Sequence, residues 1–478
     1  MARLEKPKPK HRAHFDVGRL CAGIFLQTAW VLCCGIHPRQ AAAEARAEFV
    51  QNQIQQRNAH LPPALQTEKY NLMAETIFSF FRATNHLFWA DYGNSPLLAP
   101  FGGPTTRIWI QGDAHCENVS ALLTNQNQVV LDLDDFDETL IADYQLDLWR
   151  MAVSLLLAIQ ENGGLPQKTQ EQLIDAFAAS YLDTLRAHRD NESELLKRYA
   201  AQNTVGFLSD WMSQLSEATH ARVLKKMTTL ATGKRKFNFD KPDVQPVSVS
   251  VLHALQGAWP GYQATLSGRL RNIPGYFQIK DVAQKVRGGM GSMGVTRFFI
   301  LIEGVSPSQD DDRVLDVKAQ TAPAGWLFVD PATREQLSSF MGQDHALRVV
   351  LGYRTMGYRA DEHLGSLHAL GEHFFVRERT PVRTPIELHN LVNPQRSQHL
   401  AQQWGAVLAT AHARADQDSS PLVSIDFEKE VLAKVATEKQ RQAFLLRVRQ
   451  VAFFYARQVS EDYRAFKDAR PVTKKTPS

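Results

Sequence analysis

Cysteine is scarce in this chain. Only four cysteines occur in 478 residues, and three of them, Cys21, Cys33 and Cys34, fall inside one apolar run near the N-terminus. No C-x-x-C pair is present, which argues against a structural zinc site. If the N-terminal run is removed, only Cys116 is left and no intrachain disulfide can form.

The chain also lacks a strong excess of charge. It has 54 Lys and Arg against 50 Asp and Glu, a net charge of +4, and its basic residues are spread out. Nucleic-acid-binding domains normally concentrate positive charge on one face, so we expect no nucleic-acid partner. With 44% hydrophobic and 22% charged residues, the composition is typical of a globular enzyme.

Long apolar runs are absent apart from residues 20–36. This run has no charged residue, follows a basic stretch and precedes small residues at 41–43. The pattern predicts a signal peptide or signal anchor over residues 1–43, and hence an exported (periplasmic) or membrane-anchored protein. A buried or amphipathic helix in a cytoplasmic protein is the alternative. Any membrane attachment is expected through this segment alone.

The rest of the chain shows an α+β pattern in three parts. We predict an α-rich lobe over residues 44–245, a smaller antiparallel β-rich lobe over 246–394, and C-terminal helices over 395–478 that pack back on the first lobe. Within the first lobe, helical patterns are predicted to continue from Gln167 to Leu230.

Acidic and amide side chains cluster in two loops of the first lobe. Gly112 to Asn118 reads G-D-A-H-C-E-N, and Asp134 to Glu138 follows the next β run directly. Phosphoryl transfer needs one carboxylate to orient the attacking hydroxyl, and an Asn with a further carboxylate to hold Mg²⁺ against the nucleotide phosphates. Asp113 and Asn118 can face one site, and Asp135, with Asp137 beside it, can complete a metal site. The alternative is that this acidic string caps the helix that begins near Asp147.

A glycine-rich string lies far downstream. Gly289, Gly291 and Gly294, with Ser292 among them, would let backbone amides approach phosphate groups closely. A dinucleotide-binding fold would continue with a helix, whereas Val295 to Ile302 is strongly β-prone. A strand, a glycine loop and a second strand are the phosphate-covering hairpin of a kinase.

The next β run ends in Lys318. In a kinase-like lobe, a lysine at this point contacts the α- and β-phosphates and a helix carboxylate. Glu335 and Asp344 are the candidate carboxylates, and a solvated surface lysine is the alternative reading. ATP and Mg²⁺ are therefore the expected cofactors.

Several motifs resemble the bacterial domain of unknown function 2252 family, in order along nearly the whole chain after the N-terminal segment. They are F-S-F-F-R ending at Arg82, the G-D-A-H-x-x-N loop, D-D-F-D-E-T, D-L-W-R at 147–150, the glycine loop, R-V-V-L-G-Y-R at 348–354 and A-H-A-R at 411–414. That family looks like a distant relative of the protein-kinase-like superfamily, near the aminoglycoside phosphotransferases and choline kinases.

Those kinases have the catalytic loop H-G-D-x-H-x-x-N. The resemblance implies that Asp113 is the catalytic base and that Asn118 and Asp135 are metal ligands. The residues expected to support them are His115, Asp147 and Arg82, with Asp147 as a buried brace for the loop. The chain departs from the pattern at Gln111 in place of His, at Ala83 in place of the family's Gly, and at Tyr353 in place of Gln.

The order of the parts predicts a circularly permuted, two-lobe protein-kinase-like fold. Kinases run from glycine loop and lysine to catalytic loop and metal-binding Asp, whereas here the catalytic loop comes first. Read cyclically from Gly289, the kinase order returns, and Trp404 to Arg414 stands for the helix that leads into the catalytic loop. The permutation requires Asp113 and Gly291 to lie within about 20 Å, the reach of one nucleotide.

We therefore expect an ATP- and Mg²⁺-dependent phosphotransferase that acts on a hydroxyl of a small molecule rather than a protein. Nucleotidyl (AMP) transfer on the same fold is one alternative. A nucleotide-binding pseudokinase that serves as an interaction module is another. Export conflicts with this function, because an exported protein would meet little ATP.

Overall fold

The structure is a computed structural model that describes residues 38–470, except for 205, 217, 218, 232 and 267. The apolar run at 20–36, and with it most of the predicted signal segment, lies outside the described residues. Among those described, no helix combines the length and the apolar character needed to cross a membrane. They are 55% helical and 15% strand, which confirms the α+β class.

The helices and strands of the described ranges are numbered in chain order. The helices are α1 (Pro38–Asn58), α2 (Pro63–Met73), α3 (Ile77–Ala83), α4 (Asn85–Tyr92), α5 (Gln145–Asn162), α6 (Gln167–His188), α7 (Ser193–Leu196), α8 (Phe207–Leu215), α9 (His220–Met227), α10 (Val249–Thr265), α11 (Pro331–Met341), α12 (His345–Met356), α13 (Pro394–Arg414), α14 (Phe427–Lys434) and α15 (Glu438–Asp468). The strands are β1 (Arg107–Ile110), β2 (Val119–Leu123), β3 (Val129–Leu133), β4 (Leu140–Asp143), β5 (Thr228–Ala231), β6 (Lys234–Phe237), β7 (Val244–Pro246), β8 (Ile279–Lys285), β9 (Arg297–Ile302), β10 (Arg313–Ala319), β11 (Gly365–Ala369), β12 (Glu372–Glu378) and β13 (Arg383–Pro385).

The glycine string connects two strands of a six-stranded antiparallel sheet. Its strand order is β11-β12-β10-β9-β8-β7, and β8 and β9 flank the string as an antiparallel pair. The predicted strand–loop–strand hairpin is thus confirmed, and β10 places Lys318 opposite Arg297 of β9.

Strand β9 shows why its sequence is a continuous apolar run. Side chains alternate between the two faces of a strand, so Phe298 and Ile300 join a buried cluster with α10, while Phe299 and Leu301 join another with α9. Both faces of the sheet are therefore covered.

The prediction of helix up to Leu230 is wrong at its end. Helix α9 ends at Met227, and Thr228–Ala231 pairs with Lys234–Phe237 as a hairpin. Two β-branched threonines open the strand, which favours extended backbone, and Gly233 has φ +74° in the turn. Val223, Leu224, Phe237 and Val244, upstream of the predicted boundary at 245, belong to a buried cluster with strands β8 to β10 of the sheet.

The two acidic loops lie on a helical core. Every residue of α5 from Gln145 to Ile159 is buried, and α13 packs along α6 while α15 packs on α5 and α6. Strand β2 pairs with β13 on one side and with β3 on the other, and β1 pairs with β4. The carbonyl of Ala415, just after α13, accepts a 3.4 Å hydrogen bond from the Trp109 amide in β1.

Candidate active site

One cavity of about 340 Å³ brings together most of the residues predicted for the site. Its lining includes residues from both acidic loops, the glycine string, the end of β10 and the helices α1 to α4. The predicted residues that line it are Arg82, Asp113, Asn118, Asp135, Asp137, Gly289, Gly291, Ser292 and Lys318. The cavity thus joins segments that are far apart in the sequence.

The loop that carries Asp113 is fixed from below by Asp147, in the first turn of α5. The Asp147 carboxylate accepts hydrogen bonds from the backbone amides of Gln111 (2.6 Å) and Gly112 (2.9 Å). His412 of α13 lies 3.3 Å from the same carboxylate, and the Tyr181 hydroxyl is hydrogen-bonded to the other nitrogen of that imidazole at 2.8 Å. Asp147 is buried and holds backbone rather than lining the cavity.

Gln111 connects the two acidic loops. Its side-chain oxygen accepts from the Asp113 amide at 2.9 Å, and its side-chain nitrogen donates to the carbonyl of Asp135. An amide can donate and accept at once, so the glutamine at this position can bridge the two loops.

Asp113 forms an ion pair with a residue that was not predicted from the sequence. Arg150, three residues after Asp147 on α5, places its Nε atom 2.6 Å from Asp113 Oδ1, and its guanidinium stacks 4.1 Å from the ring centroid of Phe81. Burial raises the pKa of Asp113 to about 7, although the positive charge of Arg150 opposes the rise. The contacts with Arg150 use Oδ1, which leaves Oδ2 to meet a hydroxyl. The sequence feature that could have indicated this partner is an arginine within a largely apolar helix, where an unpaired charge is rare.

Asn118 and Asp135 have side-chain oxygens that could bind a metal ion. The Asn118 side-chain nitrogen donates to the Asp113 carbonyl at 3.1 Å, so its oxygen is the atom available for a metal. Burial, with the neighbouring charge of Asp137, raises the pKa of Asp135, and Asp135 makes no ion pair with any other described residue. Mg²⁺ prefers carboxylate and carbonyl oxygens, so these residues fit it.

The backbone at Asp135 is unusual. Its φ is +62°, a left-handed conformation that costs energy for a residue with a side chain. The Asp135 amide donates to the Asp134 carboxylate at 2.9 Å, and its carbonyl is held by Gln111. These contacts stabilise a conformation that directs the carboxylate toward the cavity lining.

Lys318 pairs with Asp137, and the expectation of Glu335 or Asp344 as its partner is wrong. The Asp137 carboxylate contacts Lys318 Nζ and also accepts from Gln320 at 2.9 Å. Lys318 holds the pKa of Asp137 below its usual value. Asp344 instead caps α12, where it accepts from the Leu347 amide. The Asp137 carboxylate is therefore already paired with the lysine. Its assignment as a metal ligand stays a prediction.

The acidic string does not cap a helix. Helix α5 begins at Gln145, well beyond the string, and Asp134 instead pairs with Arg383 and lies 3.4 Å from Arg377. The Tyr353 hydroxyl donates to Asp134 at 3.2 Å. The capping alternative is therefore wrong. Asp134 of the acidic string instead forms ion pairs with arginines of β12 and β13.

Gly294 and His115, two other residues predicted for the site, are packed against neighbouring side chains outside the cavity. Gly294 has φ +79°, and a Cβ there would overlap Leu61. His115 is buried with its ring edge-on to Phe78, and burial lowers its pKa well below the usual value. Neither residue lines the cavity.

A second cavity of about 330 Å³ adjoins the first and shares Asp316, Tyr353, Arg377 and Arg383 with it. Its remaining lining includes apolar side chains from β2, β3 and the segment after α12. These are Leu122, Val130, Leu133, Tyr358 and Leu364. A charged cavity is thus continuous with a more apolar one.

Comparison with known proteins gives one match. No curated protein and no solved structure matches the chain. A family model, described as an uncharacterised protein conserved in bacteria, matches residues 61–469. That range contains both acidic loops, the glycine string and Lys318, and so the chain belongs to the DUF2252 family.

Proposed function

We propose that this protein is an ATP- and Mg²⁺-dependent phosphotransferase with a circularly permuted, protein-kinase-like fold, acting on a hydroxyl of a small molecule. One observation carries the proposal: Asp113, Asn118 and Asp135 share a cavity with the glycine string and Lys318. Base, metal ligands, phosphate loop and lysine are the parts that phosphoryl transfer requires.

Each residue has a role that its surroundings support. Asp113, oriented by Arg150, accepts the proton of the attacking hydroxyl through Oδ2. Asn118 and Asp135 would hold Mg²⁺, which supplies positive charge against the phosphate oxygens when it is bound. Lys318 contributes a second positive charge, and the backbone amides around Gly291 contact phosphate oxygens. The nucleoside extends into the adjoining, more apolar cavity.

Two observations support the permutation. The end of α13 contacts β1 through Ala415 and Trp109, so a helix reaches the strand before the catalytic loop without being joined to it in sequence. Asp113 and Gly291 line one cavity, as a single nucleotide would require. Contiguous packing of segments joined differently in sequence is what permutation preserves.

ATP labelled at the α- or the γ-phosphate tests the activity. With Mg²⁺ and a panel of hydroxy compounds, we expect label to be transferred from the γ-position only. Transfer from the α-position would indicate nucleotidyl transfer instead, and binding of nucleotide without transfer to any compound would indicate a pseudokinase. The intact mass of the native protein, which shows whether residues 1–43 are removed, decides whether cytoplasmic ATP is an accessible donor.

A further inference from the structure

The end of the charged cavity beneath α1 to α4 is rich in positive charge. Arg57, Lys69 and Arg82 line it there, with His86, whose pKa burial lowers to about 3. At the other end, Lys318 pairs with Asp137, and Arg377 and Arg383 pair with Asp134. Positive charge without full compensation is therefore found beneath α1 to α4.

The polar atoms of this group are only partly paired within the protein. Lys69 makes no ion pair with any residue that the structure describes, and its pKa is lowered to about 8, chiefly by burial and then by the charge of Arg57. The Nε2 atom of His86 and the Nε atom of Arg82 are buried without a hydrogen-bond partner. Arg57 reaches only Glu138, at 3.5 Å. Buried polar atoms without partners are costly, and an anion would accept a hydrogen bond from Arg82 Nε and pair with the charge of Lys69.

The cluster lies on the Asp113 side of the cavity. Arg82 pairs with Glu117, inside the loop that carries Asp113. The charge of Arg150, the partner of Asp113, contributes to the lowered pKa of His86. Lys318, in contrast, contacts Asp137. Arg82 and His86 therefore lie near the place where an acceptor hydroxyl would meet Asp113.

We propose that the acceptor is an anionic hydroxy compound whose charged group binds among Arg57, Lys69, Arg82 and His86 while its hydroxyl meets Asp113. In the reaction, the acceptor oxygen forms a bond to the γ-phosphorus and its proton passes to Asp113. The bond from that phosphorus to the bridging oxygen breaks, and its electron pair leaves with ADP. This inference rests on the proposed phosphotransferase function.

The test uses inorganic phosphate as the probe and titrates it by calorimetry into protein saturated with Mg²⁺ and the non-hydrolysable ATP analogue AMPPNP. We expect phosphate to bind the loaded protein and to bind about tenfold more weakly to Lys69→Gln, a loss of about 1.4 kcal/mol. Lys168→Gln, which removes an exposed lysine outside the cavity, is the matched control and should bind as the wild type does. Circular dichroism melting of both variants checks that they fold.

The possible outcomes separate the two proposals. Competition between phosphate and AMPPNP, or equal phosphate affinity in Lys69→Gln and wild type, would overturn the acceptor site. Failure of AMPPNP to bind, with Lys69-dependent binding of phosphate intact, would overturn the phosphotransferase and leave the anion site standing. A preference for glycerol 3-phosphate over glycerol and choline as acceptor would support both.

Discussion

At the scale of single residues, the pKa of Asp113 determines the pH range in which its carboxylate can act as a base. Burial raises its pKa to about 7 against the opposing charge of Arg150, and a base acts only when it is deprotonated. We therefore expect kcat/KM to rise with pH through about 7 and then to level off. A pH–rate profile that stays flat between about pH 5.5 and 8.5 would contradict this role.

Replacing Asp113 separates chemistry from binding. Asp113→Asn keeps an oxygen that can accept from Arg150 but removes the proton acceptor. We expect kcat to fall by about 10²- to 10⁴-fold while the affinity for AMPPNP stays within about twofold, because the metal ligands remain. Asp210→Asn, at an exposed carboxylate outside the cavity, is the control. Full activity in Asp113→Asn would show that this site is assigned wrongly.

At the scale of elements, the conformation of the loop that carries Asp113 depends on a glycine that the sequence analysis identified only as part of a motif. Gly112 has φ +81°, and a Cβ there would overlap the carbonyl oxygen of Glu138. We expect Gly112→Ala to lower the free energy of unfolding by about 3 kcal/mol, since it combines backbone strain with a clash. Gly371→Ala, with φ +77° and no neighbour within 4 Å, should cost only about 1 kcal/mol. Urea unfolding measures both, and equal losses would show that the clash is relieved.

Elements also show which features the sequence can predict. The hairpin around the glycine string and the strand that ends in Lys318 follow from local β propensity, and both are confirmed. The partner of Lys318 could not be found in this way, because Asp137 lies 181 positions away in sequence. The hairpin at Thr228–Ala231 was missed for a related reason: helical periodicity upstream of it outweighed two β-branched residues. Arg150 was missed because its role depends on how α5 packs beneath the catalytic loop.

At the scale of the whole molecule, the cavity lies where the sheet and the helical core meet. Lys318 belongs to β10 of the sheet, whereas Asp113 and Asp135 belong to loops on the helical core. A ligand that binds only the folded state stabilises it by RT ln(1 + [L]/Kd), where [L] is the free ligand concentration. Nucleotide binding should therefore be visible in the stability of the entire chain.

The role of Asp135 can be tested through this linkage. At an AMPPNP concentration of about 100 times Kd with Mg²⁺, the wild type should gain about 2.7 kcal/mol of stability and melt a few degrees higher in a thermal-shift assay. Asp135→Asn should lose the part of this shift that depends on Mg²⁺, because a carboxylate that forms no ion pair with a described residue, although Lys318 and Arg383 are near enough for their charges to act on it, is replaced by a neutral amide. The same titration without Mg²⁺ shows how much of the shift comes from the nucleotide alone. A Mg²⁺-dependent shift in Asp135→Asn equal to that of the wild type would place the metal elsewhere, and Asp137 would then be the next carboxylate to replace.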